Sequence, residues 1–150
     1  MADQYNTQKL ACELMNQHGL SKWNFEWDRA KRRAGCCKHR ICVISLSINY
    51  VVRNTEEHIR DTILHEIAHA LAGPREGHGP KWKTICRQIG ARPVRCYDSD
   101  VVNMPKGQYK AVCNGCRREF RRHRRPKHSQ MRYCIACGPE RGVLSYKICC

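Results

Sequence analysis

The sequence predicts an α+β fold in two domains, residues 1–104 and 105–150, and three observations support it. Apolar residues alternate in strand-like pieces between residues 23 and 48. A helix with clear ends follows between Asn54 and Gly73, and two C-x-x-C pairs lie near the C-terminus. At 150 residues the chain is long enough for one moderate core and a small second module.

The first elements are predicted to be a helix and a small antiparallel sheet. TQKLACELMNQHG predicts a helix that ends near Gly19. Its apolar face is formed by Leu10, Ala11, Leu14 and Met15. WNFEW alternates Trp23, Phe25 and Trp27, which predicts a strand with one buried face, and RICVISLSI predicts a second strand after the basic turn RAKRRAG.

Several potential ligands surround that turn. We expect them to be ordinary thiols and a surface imidazole, and not a further metal site, because most of them fall in the predicted turn. They are Cys36, Cys37, His39 and Cys42.

NTEEHIRDTILHEIAHALAGP predicts the best-defined helix of the chain. Asn54 is its expected N-cap, Glu57 follows three residues later as in a capping box, and Gly73-Pro74 ends it. Its core-facing stripe consists of Ile59, Ile63, Ile67 and Ala70. A shorter helix is predicted to begin at Pro80, with Trp82 packing it against the first.

Composition and charge exclude several classes of protein. The chain has no run of about 18 apolar residues, and MADQYNTQKL lacks the features of a secretory signal. We therefore expect no membrane partner and an intracellular location, cytoplasmic in a bacterium and nuclear or host-cell in a eukaryote or virus. The 12 cysteines are then thiols or metal ligands. The net charge is +15, and residues 106–150 carry 12 Lys/Arg against two acidic residues, which predicts nucleic acid as a partner.

HEIAHALAGPREGHGP, residues 65–80, predicts a catalytic zinc site. His65 and His69 are four residues apart on a helix, so both imidazoles lie on one face and can bind one zinc at about 2 Å. Glu66 can take a proton, as general base, from a water whose pKa the zinc lowers to about 7. A catalytic zinc usually has three protein ligands. The following loop offers His78, with Glu76 as the alternative.

The spacing of these residues limits the reaction class. A metzincin needs its third histidine six residues after the second, and here the interval from His69 to His78 is nine. A nucleotide deaminase needs H-x-E and a proline before its C-x-x-C, and both are absent. The remaining class is a zincin-type hydrolase.

LHEIAHAL, the later GHGPKW and the upstream RRAGCCKHRICVISLSINYV together resemble the SprT-like (Spartan-type) zinc metalloprotease family. The resemblance covers roughly residues 5–150, with a zinc ribbon after the catalytic part. It implies a zincin-like core in residues 1–104, with Glu66 as general base. The implied zinc ligands are His65, His69 and His78. The substrates that it implies are proteins crosslinked to DNA or tightly bound on it.

Two C-x-x-C knuckles, 17 residues apart, predict a structural zinc site in residues 105–150. The ligands are Cys113, Cys116, Cys134 and Cys137. Gly115 and Gly138 lie where the knuckle turns need relaxed backbone angles. A redox dithiol is the alternative for one pair alone, and the presence of two pairs disfavours it.

The interval between the knuckles combines eight Lys/Arg with ring side chains. Cations neutralise phosphates and exposed rings stack on unpaired bases, so we expect DNA binding without sequence preference, including single-stranded DNA. The alternative is a solvated hairpin face. The predicted contacts are Arg117, Arg118, Phe120, Arg121, Arg122, Arg124, Arg125, Lys127, Arg132 and Tyr133.

The leading hypothesis is a zinc-dependent endopeptidase with one catalytic and one structural zinc, which the ribbon directs to DNA-bound or DNA-crosslinked proteins. One alternative is a nucleic-acid-binding zinc module with a structural zincin half, although such a site has no use for Glu66. Another is a zinc hydrolase that acts on a different bond. The sequence does not identify the group that stabilises the oxyanion; Tyr50 and Tyr97 are the tyrosines considered for it, and neither is assigned that role.

Overall fold

The computed structural model describes residues 3–95, 102–127 and 131–149, which fall into two compact units, Met1–Pro105 and Lys106–Cys150. The elements of the first unit are α1 (Gln4–Gln17), β1 (Asn24–Asp28), β2 (Gly35–Lys38), β3 (Val43–Ser47), α2 (Ile48–Val51), α3 (Glu56–Ala72) and α4 (Pro80–Ile89). Those of the second are β4 (Tyr109–Val112), β5 (Glu119–Arg122), α5 (Gly138–Arg141) and β6 (Lys147–Ile148). None of these helices is long and apolar enough to cross a membrane.

The sheet of the first unit confirms the predicted α+β class and corrects its strand pairing. Its strand order is β1-β3-β2, with β1 parallel and β2 antiparallel to β3, so the sheet is mixed and not purely antiparallel. The reason is that residues predicted as a turn, including Cys36 and Cys37, form the additional strand β2. A 3₁₀ turn at His39–Ile41 then reverses the chain into β3, with Cys42 in the left-handed region at φ 52°.

Helices α1 and α3 pack against each other and against this sheet, and together they build its core. The predicted apolar face of α1 is buried at Ala11, Leu14 and Met15. It shares one hydrophobic cluster with Ile44 and Leu46 of β3. Strand β3 is buried along its whole length, which is typical of a central strand covered on both faces.

The start of α3 differs from the prediction by one residue. Thr55 is the N-cap, and its hydroxyl accepts a hydrogen bond from the His58 N–H at 3.4 Å. Asn54 is buried instead, and its side chain bonds the Tyr50 carbonyl and both backbone groups of Asn103. Asn54 therefore connects two distant segments, and the prediction that it caps the helix was wrong.

The second unit is a small β-rich module, as predicted. Its sheet has the order β5-β4-β6 with antiparallel pairing, and an isolated bridge joins Tyr133 to Val143. Among the residues of this unit that the structure describes, the buried apolar ones are few, namely Ala111 and the cysteines Cys113 and Cys134. A core this small needs additional stabilisation such as a structural metal.

Candidate metal centres

Three histidine side chains converge in the first unit. The Nε2 atoms of His65, His69 and His78 lie 3.1–3.2 Å from one another. Three nitrogens that share one tetrahedral zinc at bonds of about 2.0–2.1 Å are about 3.3–3.4 Å apart. The observed triangle is thus close to that of an open three-histidine zinc site, with one face left for a fourth ligand.

The helix and the loop after it supply these three histidines in different ways. His65 and His69 share one face of α3 because they are one turn apart. The chain turns after Ala72 and brings His78 back just before α4 begins at Pro80. Glu76 does not join the triangle. Its Oε1 accepts the Lys81 N–H at 2.9 Å and so caps the first turn of α4.

Burial keeps these imidazoles neutral. Burial first, and the positive charge of neighbouring histidines second, lower the pKa of His65 to about 3 and that of His69 to about 4. Burial also lowers the pKa of His78. Neutral imidazoles present lone pairs, which is the form that binds a metal.

The Trp82 ring contacts the rings of all three histidines. It is fully buried, and its ring lies 4.8 Å from His65, 5.2 Å from His69 and 4.6 Å from His78, centroid to centroid. Its ring is stacked on that of His69 at an interplanar angle of 25°. Its Nε1–H donates to the His65 carbonyl at 3.5 Å. Contact with three ligand rings limits their rotation, so Trp82 does more than join two helices.

Glu66 is buried beside the triangle, with 8% of its surface exposed. Burial raises the pKa of its carboxyl group to about 8, while a hydrogen bond from the Cys37 backbone and the charge of Arg33 oppose this shift. A cation at the histidines would lower this pKa. The carboxyl group is therefore held near the point at which it can both accept and release a proton.

The two tyrosines considered for oxyanion stabilisation are not supported as such. Tyr50 is fully buried, and its hydroxyl donates to the His58 carbonyl at 3.0 Å while it accepts from Thr62 at 2.9 Å. Its hydroxyl is thus occupied inside the core. Tyr97 lies outside the described residues.

The second unit contains a four-cysteine cluster. The ligand sulfurs of Cys113, Cys116, Cys134 and Cys137 all lie within 4.8 Å of one another. The Cys116 and Cys134 sulfurs are 3.7 Å apart, close to the spacing of about 3.8 Å for thiolates at about 2.3 Å on a tetrahedral zinc. In the described part of the chain, this cluster and the histidine triangle are the two groups of three or more metal-ligating side chains.

Backbone hydrogen bonds in the first knuckle favour the thiolate form of Cys113. The Cys116 N–H donates to the Cys113 sulfur at 3.5 Å. Hydrogen bonds from the Cys116 and Gly115 backbone lower the pKa of Cys113 to about 7. Gly138 has φ 72°, as expected for a knuckle turn. Gly115 serves another purpose, because a Cβ there would lie 2.9 Å from the Cys137 sulfur.

The basic residues between the knuckles are not equivalent. Arg121 is paired with Glu119, which also pairs with Lys110. The guanidinium of Arg122 lies 5.7 Å from the centre of the Tyr146 ring, an aromatic contact that the sequence did not reveal. Most of the predicted contacts are exposed, namely Arg117, Arg118, Arg121, Arg122, Arg124, Arg125, Lys127 and Tyr133, while Phe120 and Arg132 are partly buried.

Comparison with known proteins gives a family match for the first unit. A family model described as the SprT-like family matches residues 4–102. The chain is 29% identical to the Germ cell nuclear acidic-1 protein of Caenorhabditis elegans, over 77% of this chain and 23% of that protein. It is 28% identical to Protein SprT of Klebsiella pneumoniae, over 63% of this chain and 62% of that protein. For Protein SprT of Pseudomonas putida the identity is 27%, over 77% and 74%. The chain thus spans less than two thirds of the first two relatives.

Proposed function

The chain belongs to the SprT-like family, and from this premise we propose that it is a zinc-dependent endopeptidase that acts on DNA-bound or DNA-crosslinked proteins. The observation that carries the proposal is the convergence of three neutral imidazoles beside a buried carboxyl group. A purely structural metal site usually has four protein ligands, whereas the described residues supply three here and leave one position open.

His65, His69 and His78 would hold the zinc ion through their Nε2 atoms. When bound, zinc would polarise a peptide carbonyl as a Lewis acid and lower the pKa of a water in the open position. Glu66 would accept the proton of the attacking water and pass it to the leaving amine. Its burial excludes competing solvent and brings its pKa towards the working pH.

The ribbon would select substrates by location. Residues 106–150 carry a net charge of +10, from 12 Lys/Arg and two acidic residues, and its exposed arginines suit a phosphate backbone better than a particular base sequence. The four cysteines would hold a second zinc that stabilises the small module. A protease with weak sequence preference would then meet proteins mainly on DNA.

The test is cleavage of a DNA-bound basic protein, such as a histone, by the wild type and by Glu66→Gln. Reactions run with and without single-stranded and double-stranded DNA, after elemental analysis has established two zinc ions per chain. We expect cleavage that depends on DNA and falls about 10²- to 10⁴-fold in Glu66→Gln, because the amide has the shape of the carboxylate but cannot accept the proton. The variant should keep both zinc ions and wild-type DNA affinity.

Two results would contradict the proposal. Full-rate cleavage of soluble protein without DNA would remove the role of the ribbon in targeting. Absence of cleavage under every DNA condition, with zinc bound and DNA binding intact, would favour a nucleic-acid-binding zinc module or a hydrolase that acts on a different bond.

A further inference from the structure

We propose that Gly35, the first residue of β2, is a positioning residue for the general base. Because it lacks a side chain, it leaves the space in which the Glu66 carboxyl group is held against this edge strand. The inference rests on the proposed function, since it assigns Gly35 a role through Glu66, but it also has a consequence that does not depend on activity.

The contact between the two residues is close. A Cβ at Gly35 would lie 2.9 Å from Glu66 Cγ and 3.0 Å from Glu66 Oε1, and 3.1 Å from Leu46 Cδ2 on the neighbouring strand. Carbon atoms in ordinary contact are about 3.5–4.0 Å apart, so an alanine here would overlap the carboxylate side chain. Leu46 is fully buried and backs the same space, which limits how far Gly35 itself can retreat.

The register of β2 explains why this strand faces Glu66. Gly35 and Cys37 stand opposite Leu46 and Ile44, and the Ser47 N–H donates to the Ala34 carbonyl. In an antiparallel ladder, hydrogen-bonded pairs of opposite residues alternate with pairs that are not hydrogen-bonded. Residues 35 and 37 belong to the second kind, so their backbone N–H and C=O groups point away from β3. The Cys37 N–H is thus available for Glu66, and interaction with the Cys37 backbone opposes the rise that burial causes in the pKa of the Glu66 carboxyl group.

The backbone at Gly35 does not itself require glycine. Gly35 has the extended conformation of a strand and is not among the glycines with positive φ. The obstacle to a side chain is therefore the packing of Glu66 and Leu46 alone. An alanine would displace the Glu66 carboxyl by roughly 0.5 Å or more, which is at the limit that a working catalytic geometry tolerates.

The first experiment compares Gly35→Ala with wild type in the DNA-dependent cleavage assay. We expect kcat to fall about 10- to 100-fold, because misplacing a reacting group by about 1 Å can cost this much, with KM and both zinc ions unchanged. Cys36→Ala is the matched control. It alters the next residue of the strand, whose side chain lies on the opposite face, and should keep the wild-type kcat.

A double-mutant cycle separates positioning from general damage. In the Glu66→Gln background, which lacks the general base, Gly35→Ala should cause no further loss of residual activity. Unchanged kcat in Gly35→Ala would overturn the proposal. An additive loss in the cycle, or loss of zinc from Gly35→Ala, would overturn it equally, since each would mean that Gly35 acts on something other than Glu66.

The activity-independent readout is the Cys37 amide proton in an NMR spectrum. We expect this amide to donate to the Glu66 carboxyl group and its proton therefore to lie downfield in the wild type. Both Gly35→Ala and Glu66→Ala should move it upfield and speed its exchange with solvent. The same amide shift in wild type and Gly35→Ala would refute the positioning role. If the wild type cleaves nothing, the proposed function fails while this measurement still decides the role of Gly35.

Discussion

Replacing Trp82 with leucine removes the ring that packs against the three histidines and leaves the histidines themselves unchanged. Trp82 is fully buried, contacts the rings of all three histidines and donates to the His65 carbonyl. Leucine keeps part of the apolar volume and loses the stacked ring and the N–H. We therefore expect two separable effects, one on the stability of the first unit and one on its affinity for zinc.

The expected losses of stability and of zinc affinity both follow from these contacts. Truncating a buried Trp to alanine costs about 3–5 kcal/mol, and this sets the upper limit for leucine in the metal-free protein. Loss of residues that support metal ligands typically weakens metal binding about 10- to 100-fold, which corresponds to roughly 1.4–2.8 kcal/mol. When zinc is bound, the weakened metal binding adds to the loss of packing energy. Trp82→Leu should therefore lower the free energy of unfolding more with zinc than without it.

The assay combines denaturant unfolding, with and without chelator, and competition for metal against a chromophoric chelator. Cobalt substitution distinguishes the sites because thiolate and imidazole ligands give different spectra, and the ribbon is an internal reference. Leu14→Ala is the control. Leu14 is buried in the same hydrophobic cluster, and its truncation costs about 2–5 kcal/mol. The reasoning is refuted if folded Trp82→Leu binds metal at the histidine site as tightly as wild type, or if Leu14→Ala weakens it equally.

Three further predictions test other parts of the molecule. His78→Ala should reduce the zinc content from two ions per chain to one. Glu76→Ala should keep both ions and lower the free energy of unfolding by about 0.5–2 kcal/mol, because it removes the cap of α4. The opposite pattern would mean that Glu76, and not His78, is the third ligand. Cys116→Ser should abolish DNA binding together with the ribbon zinc and leave metal at the histidines, as cobalt spectra and gel shifts would reveal. Arg124→Ala should reduce the steepness of log DNA affinity against log salt concentration by about 0.7–0.9. Arg121→Ala should reduce it by less, because the Arg121 guanidinium is already paired with Glu119. Equal slopes for the two variants would contradict this ranking.

Features that depend on residues close together in the sequence were predictable. The helices α1, α3 and α4 follow from apolar periodicity and end signals. His65 and His69 lie side by side because an interval of four residues is one helical turn. The C-x-x-C knuckles likewise place two thiols in one turn each. These relations are local, so the spacing along the chain contains them.

Other features depend on contacts between distant segments, and sequence reasoning missed some of them and misread others. Strand β2 lies in residues for which the sequence predicts a turn, because four residues with no clear alternation do not reveal its pairing with β3. Asn54 was expected to cap α3, but its partner Asn103 lies 49 residues away. Local propensity at these positions is weak, and the tertiary contacts override it.

The sequence by itself determined which residue types reach the site, and it left the choice between His78 and Glu76 open. The tertiary structure brought His78 to the other two histidines and used Glu76 as a helix cap. It also placed Trp82 beneath the ligands and Gly35 against Glu66, across 31 residues of chain. Such contacts depend on how the elements pack in space. Close packing brings together atoms that are far apart in the sequence, and the number of residues between them does not indicate that they will touch.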